Sequence, residues 1–267
     1  MTKFGADPEL FVYDPINCIY VSSHNLVKGD KRAPFAIEDG ATQVDGVSAE
    51  FNITPSETAE EFSRRIESVK NGMLKMIRGN KGAEHYVLRA TPVAYFNADY
   101  FSTLPEETRA LGCEPDFNAY TGEQNDPPGT TEPFRTGSGH VHVGDYEWKG
   151  DYKQDTRNRV KQLDYTLYPL SLLWDKDLKR RELYGKPGAF RYKPYGFEYR
   201  VLSNKWVGST NLQKWIMLAT KRAMDLFDEG EHLYDDVAPE TTYQHDYLLN
   251  YANMLVQDFK FPELRVG

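Results

Sequence analysis

Four stretches of the chain read as β-strands whose side chains alternate between two very different populations. In "GADPELFVYD" the even positions Pro8, Leu10 and Val12 are apolar, whereas the odd positions begin with Asp7 and Glu9 before passing to Phe11 and Tyr13. In "AEFNI", Phe51 and Ile53 oppose Glu50 and Asn52; in "GHVHV", Val141 and Val143 oppose His140 and His142. In "GFEYRV", Phe197, Tyr199 and Val201 oppose Glu198 and Arg200. Successive strand residues point to opposite faces, so each stretch has one core side and one polar side. A solvated outer face accounts for any one of them, since exposed acids are common. It accounts poorly for all four, because exposed strand faces favour Thr, Lys, Gln and Ser over histidine pairs and isolated carboxylates. The joint pattern predicts a sheet whose polar face is a site. Asp45 has the wrong parity relative to Glu50, and a turn or bulge at "DGVS", permitted by Gly46, would re-aim it.

Helical periodicities supply cover for the apolar side. Thr54, Pro55 and Glu57 have the chemistry of a helix start, a capping box with proline in the first turn. Phe62, Ile66, Val69, Met73 and Met76 follow at helical spacing, and Gly79 and Gly82 mark the exit. Further helices are predicted around residues 156–174, where Pro169 kinks the helix or ends a turn, and after a cap at Ser209. A last helix runs through "TYQHDYLLNYANMLVQDF". "CIYVSS", "ATQVDGVSAEFNIT", "YVLRATPVAYF" and "AFRYKPYGFEYRVLSN" read as strand, and Pro115 to Pro133 as a long loop of a kind that is often functional. Strands with inserted helices, without regular β-α alternation, predict one α+β domain over residues 1–267. Its sheet is mostly antiparallel, with helices covering one face.

The polar face sets the chemistry. Carboxylate oxygens suit hard cations such as Mg²⁺ or Mn²⁺, and one imidazole among them does not force zinc. Acids collected on one surface repel each other without cations. Arg200 beside Glu198, with Arg191 and Lys193 just upstream, adds positive charge. Metal plus arginine is a combination that holds a nucleoside triphosphate and stabilises a phosphoryl group in transfer. The chain has no G-x-x-x-x-G-K-[ST] loop and no dinucleotide fingerprint, so a bound nucleotide would sit on the sheet through metals. A net charge of −8 argues against general binding to nucleic acid or to an anionic membrane. Nothing resembles a signal peptide or a bilayer-spanning run. Cys18 and Cys113 have neither metal-ligand nor disulfide spacing, which suits a reducing cytoplasm.

With these residues in place, the chain resembles the glutamine synthetase / glutamate–cysteine ligase superfamily of carboxylate–amine ligases, and within it the phage-type amidoligases (COOH-NH2 ligase, type 2). "DPEL" is similar to that family's acid-x-acid first strand, E-P-E-F. "VDGVSAE" is similar to E-P-G-G-Q-x-E with one residue fewer, and "GSGHVHVG" to GSG-x-H-x-H without the intervening residue. "FEYR" matches the final E-x-R strand. The resemblance implies the superfamily's catalytic fold, a curved antiparallel sheet with its catalytic face open. It implies Asp7, Glu9, Asp45, Glu50, His140 and Glu198 as ligands of two or three Mg²⁺ or Mn²⁺ ions. It places ATP against His142, Lys193, Arg200 and Asn204, and makes Arg191, Arg200 and Glu50 catalytic. "CEPDFNAY" resembles a phage-branch feature, which with Ser138 puts Cys113, Glu114, Asp116 and Asn118 near the substrate.

The implied reaction joins a carboxylic acid to an amine at the expense of ATP. The acid attacks the γ-phosphate to give an acyl phosphate, and the amine displaces phosphate to leave an amide. The acid and amine belong to small molecules, peptides or proteins, and a phage-encoded enzyme of this kind would work in its bacterial host's cytoplasm. Two other readings use the same residues. A metal-dependent hydrolase would also use H-x-H and carboxylates, to activate water; its reaction would not depend on nucleotide. A non-catalytic phage accessory protein would keep the fold without turnover.

Overall fold

The first strand, β1 (Lys3–Asp14), is twelve residues long and pairs with four others, and most of the sheet is arranged about it. The computed structural model describes residues 1–109, 116–126, 129 and 132–264. The other strands are β2 (Ile19–Val21), β3 (Phe35–Ile37), β4 (Gly40–Asp45), β5 (Ser48–Ile53), β6 (Val87–Arg89), β7 (Val93–Tyr95), β8 (Phe117–Asn118), β9 (Phe134–Thr136), β10 (Gly139–Gly144), β11 (Ala189–Lys193) and β12 (Gly196–Tyr199). The helices are α1 (Ala59–Arg78), α2 (Ala98–Thr103), α3 (Glu106–Arg109), α4 (Tyr152–Thr166), α5 (Tyr168–Ser171), α6 (Leu178–Leu183), α7 (Thr210–Glu229) and α8 (His245–Phe259). Among the described residues ten strands form one sheet in the order β3-β4-β5-β1-β10-β12-β11-β8, with β2 and β6 also on β1, while β7 and β9 make a separate ribbon. All these pairings are antiparallel.

Alternation sorts the side chains. Leu10, Val12, Phe51, Val141, Val143, Phe197 and Tyr199 join Phe62, Ile66, Val69 and Met73 of α1, Val160 and Leu163 of α4, and Ile216 and Ala223 of α7 in one core. Each fully buried side chain of this size contributes roughly 1.5–3 kcal/mol, so this face holds the sheet to its helices. The opposite face carries the acids and histidines. It closes at one end, where Phe11 packs with Val47, Ala94, Phe96 and Phe101 in a second cluster.

Several boundaries differ from the sequence reading, each for a local reason. The first long helix is capped by Thr58, whose hydroxyl accepts from Glu61 N at 3.3 Å, and not by Thr54. The chain carries T-x-x-E twice, four residues apart, and the earlier copy is still held by the sheet. Thr54 N donates to Asp39 O at 2.7 Å, and Ser56 exchanges two backbone hydrogen bonds with Phe4. "YVLRATPVAYF" is two strands in two sheets, parted just before β7 by Pro92, which has no N–H to give to a ladder. "AFRYKPYGFEYRVLSN" is the β11–β12 hairpin, turning at Pro194–Tyr195. The helix predicted near residues 156–174 starts earlier, on an Asp151 cap, and ends at Thr166; Pro169 then sits in the first turn of α5. Ser209 caps α7, accepting from Leu212 N, and Gly230 ends it in the left-handed region. Among the described residues no helix is long and apolar enough to cross a membrane.

One core group gives a pH-dependent stability. Asp164 of α4 is buried, and Tyr199 donates to its Oδ1 at 2.8 Å. Burial raises its carboxyl to about 7, with the Tyr199 hydroxyl pulling the other way. A carboxyl raised by folding favours the folded state while protonated, and that contribution is lost as pH rises through the folded value. Asp164→Asn removes the titration. The variant's stability relative to the wild type is expected to rise by about 1.4 kcal/mol per unit between roughly pH 5 and pH 7. Urea denaturation across that range checks this, and parallel profiles for the two proteins would contradict it.

Candidate active site

The polar face holds a cleft of about 560 Å³. It is lined by Asp7 and Glu9 from β1, Gln43 and Asp45 from β4, Glu50 and Asn52 from β5, His140 and His142 from β10, Arg191 and Lys193 from β11, and Arg200 just beyond β12. Asp45 reaches this face through the two-residue turn at Gly46–Val47, with Gly46 at φ 57°. The turn sets Asp45 opposite Ser48 and Gln43 opposite Glu50. Directly opposed strand residues share a face, so the parity conflict disappears.

Register brings the centre together. Asp7 lies opposite His140, and His142 opposite Glu198. His140 Nδ1 is 3.1 Å from Asp7 Oδ1 and 3.2 Å from Glu198 Oε1. Asp7, His140 and Glu198 each offer one ligand atom within 4.8 Å of the others. His140 Nε2 is buried with no hydrogen-bond partner among the described residues. Burial works to raise the Asp7 carboxyl, but His142 and His140 together outweigh it and hold it well below the usual carboxylate range. Burial, then the Arg200 charge, pushes His140 down to about 3, so its ring is neutral, the form that ligates metals.

Beside this centre lies a second group of acids. Glu9 and Glu50 face each other across β1 and β5. Burial and then Asp45 raise the Glu9 carboxyl to about 7, and burial with Asp7, Asp45 and Glu9 raises Glu50 well above its usual value. Ser138 N donates to Glu9 Oε2 at 2.9 Å, Gln43 Nε2 donates to Glu50 Oε2 at 2.8 Å, and Lys31 pairs with Asp45 at 3.0 Å. The "GSG" glycines serve this contact. A Cβ on Gly139 would lie 2.4 Å from Trp206 Nε1 and 2.6 Å from Ser203 O, so only glycine lets the chain pass there. The donor set of carboxylates, a neutral imidazole and an unpartnered buried nitrogen fits hard divalent cations.

Cations line the other side. Lys193 Nζ is 2.7 Å and Arg191 Nη1 3.7 Å from Glu198 Oε2. Arg200 is buried; its guanidinium donates to Glu198 and Tyr184, and its Nε lies 3.4 Å from Asp116 Oδ2. Burial and then Asp7 raise the Glu198 carboxyl, against His142, Lys193 and Arg191.

Glu198 lies beneath the cleft with no exposed surface, and Asp116 joins the site through Arg200. Ser138 is buried and touches Glu9 through its backbone. Two of the expected residues do not line the cleft. Asn204 is fully buried and its Nδ2 donates to Glu9 O at 2.7 Å, so it supports β1. Asn118 is on β8 at the far edge of the sheet, where its Oδ1 accepts from Tyr120 N at 2.9 Å to close a turn. Glu114 and Cys113 lie outside the described residues. The sequence reading missed Gln43, Lys31, Tyr184, Tyr195 and Arg180. Gln43 was detectable as the register partner of Glu50 once a two-residue turn is drawn. Arg180 had no signal, yet it is buried and donates to Val201 O, Leu202 O and Ser138 Oγ.

A family model described as phage phiEco32-like COOH.NH2 ligase-type 2 matches residues 129–255. Over that stretch the chain is similar to a carboxylate–amine ligase. The match contains His140, His142, Arg191, Glu198 and Arg200, whereas β1 and the β4–β5 hairpin lie outside it. The family's description supports a ligase, with a carboxylic acid and an amine as substrates. No curated protein matches the chain.

Crowded acids predict how the empty and loaded protein respond to substitution. Without divalent cations, Glu50→Gln is expected to stabilise the protein by about 1 kcal/mol, by easing repulsion among Glu50, Glu9, Asp45 and Asp7. Mn²⁺ is expected to raise the thermal midpoint of the wild type, and Asp7→Ala to abolish that rise. Thermal melts in EDTA and in Mn²⁺ measure both effects.

Proposed function

We propose that the chain is an ATP-dependent carboxylate–amine ligase that forms an amide through an acyl phosphate. The observation that carries this reading is the polarity of the cleft. A carboxylate–imidazole cluster at Asp7, His140 and Glu198 stands directly against a row of cations at Arg191, Lys193 and Arg200. Hydrolysis needs the first half of that arrangement; phosphoryl transfer uses both. The family description for residues 129–255 supports the same reaction class.

Asp7, His140 and Glu198 would hold one Mg²⁺ or Mn²⁺ ion, and Glu9, Glu50 and Asp45 would hold one or two more. Bound there, the ions supply neutralisation of the triphosphate and of the charge on the phosphoryl group in transfer. The chain's own groups do the rest. Arg191 and Lys193, both partly exposed in the cleft, bind phosphate oxygens, with His142 alongside. Arg200, fixed by Tyr184 and Asp116, sets its guanidinium beside Glu198. A substrate carboxylate oxygen bonds to the γ-phosphorus as the bond to ADP breaks. The amine nitrogen then bonds to the acyl carbon, phosphate leaves, and the nitrogen loses a proton. No protein nucleophile is required, so catalysis rests on orientation and on charge placed where it develops.

Calorimetry with ATP is expected to show binding with Mg²⁺ or Mn²⁺ and none in EDTA. ADP release, screened over acids and amines, is expected only when both substrates are present. Binding that survives chelation, or ADP release equally fast without any acid, would sink the reading.

The two arginines should separate. Arg191→Lys is expected to lower kcat about 10²-fold with little change in ATP affinity, because a point charge cannot grip two phosphoryl oxygens. Arg200→Lys is expected to lower kcat and the thermal midpoint together, since Tyr184 and Asp116 lose their partner. Turnover assays beside thermal melts resolve the difference.

A further inference from the structure

Beyond the acids and the cations the cleft continues to a further end. There Gly5 of β1 lies opposite His142 of β10, two residues from Asp7 and on the same face. Ile53 and Pro55 line one side of this end, Gly144 and Tyr195 the other. Its charges, Lys3 and Asp145, pair with each other at 2.9 Å. Tyr195 is 44% exposed at the turn of the β11–β12 hairpin, and Asp145 N donates to its carbonyl at 3.0 Å, which fixes the turn.

The glycines here are not alike. A Cβ on Gly196 would lie 2.1 Å from Val143 O, and one on Gly144 would lie 3.0 Å from Tyr195 Cδ2, so the packing of the protein itself calls for a small residue at both. For a Cβ on Gly5 the nearest atom among the described residues would be His142 Cβ at 3.5 Å, an ordinary contact. β1 and β10 pair there without a bulge, in continuous register from Lys3 to Pro8. Glycine inside a strand weakens it; with neither a bulge nor a crowding backbone to explain it, Gly5 marks a place where a bound group comes close to the chain.

We infer that this end of the cleft seats the base of the nucleotide over Gly5, between Ile53 and Pro55 on one side and Tyr195 on the other. The inference rests on the nucleotide reading proposed above, which puts the triphosphate at Arg191, Lys193 and His142. From those cations the ribose and base leave in one of two directions. Toward Glu9 and Glu50 they meet buried carboxylates and the end closed by the Phe11 cluster. Toward Gly5 they meet an aromatic ring, an aliphatic wall and two charges that compensate each other. The faces of a base are planar and apolar, and aromatic side chains hold them by stacking whatever the base. Gly5 and Lys3 lie one and two strand repeats beyond Asp7, about 7 and 13 Å along β1, which gives the ribose and base room.

Gly5→Val fills the floor where a Cβ meets only an ordinary contact, and a β-branched residue suits a strand. Tyr195→Ala removes the opposite wall from an exposed turn, so it does not depend on how β1 accepts valine. Calorimetry in Mg²⁺ compares ATP with inorganic tripolyphosphate, which has the phosphates and no base. Each variant is expected to bind ATP about tenfold more weakly than the wild type and tripolyphosphate equally well, whereas Tyr195→Trp keeps its affinity for ATP. ATP affinity unchanged in Gly5→Val and Tyr195→Ala, or a loss shared equally by tripolyphosphate, overturns the inference. A wild type that takes up neither ATP nor tripolyphosphate overturns the nucleotide reading beneath it. The two failures are therefore distinguishable.

Discussion

Carboxylates that are buried side by side must be given positive charge or protons, and this constraint organises the polar face of the sheet. Asp7 meets it with two imidazoles, and Glu198 with Lys193, Arg191 and Arg200. Glu9 and Glu50 are buried, and among the described residues a backbone N–H and the Gln43 amide donate to their oxygens, with Asp45 adding to the negative field. Their raised carboxyls are the price of that imbalance. A face built this way gains little for folding. It is tolerated because the apolar side of the same strands does the holding.

That division of labour explains why so much of the site was legible. A period of two separates ligand from core in each strand, and antiparallel pairing then lines the ligands up across strands. Asp7, Glu9, His140, His142, Glu198 and Arg200 share the polar parity of their strands, and register sets Asp7 opposite His140, His142 opposite Glu198 and Glu9 opposite Glu50. Asp45 needed one further step, because a two-residue turn inverts the parity between the strands it joins.

What was not legible depends on distance or on competition between local signals. Two equivalent capping boxes compete at the start of α1, and backbone pairings distant in the chain, Thr54 with Asp39 and Ser56 with Phe4, select the second. Asn204 looked like a polar contact for a ligand because nothing in its neighbourhood says that β1 will cross directly above it. Arg180 carries the same lesson. A buried arginine that holds backbone carbonyls at Val201 and Leu202 leaves no periodic trace, since its partners are not side chains. Tyr195 sits in an ordinary Pro-Tyr-Gly turn, and only the folded hairpin brings it over His142.

β1 lies in the middle of the sheet, between β5 and β10, although it comes first in the chain. The stretch similar to the ligase family begins 115 residues after that strand ends. A fragment cut to residues 129–255 would therefore expose β10 as a raw edge, with six backbone positions that β1 now covers, and would lose four of the acids that line the cleft, Asp7, Glu9, Asp45 and Glu50. Such an edge invites pairing with other chains, and with it aggregation. The smallest piece of this protein that can be expressed as an independent unit is thus larger than the piece in which ancestry is visible, and its boundaries are set by strand order rather than by similarity.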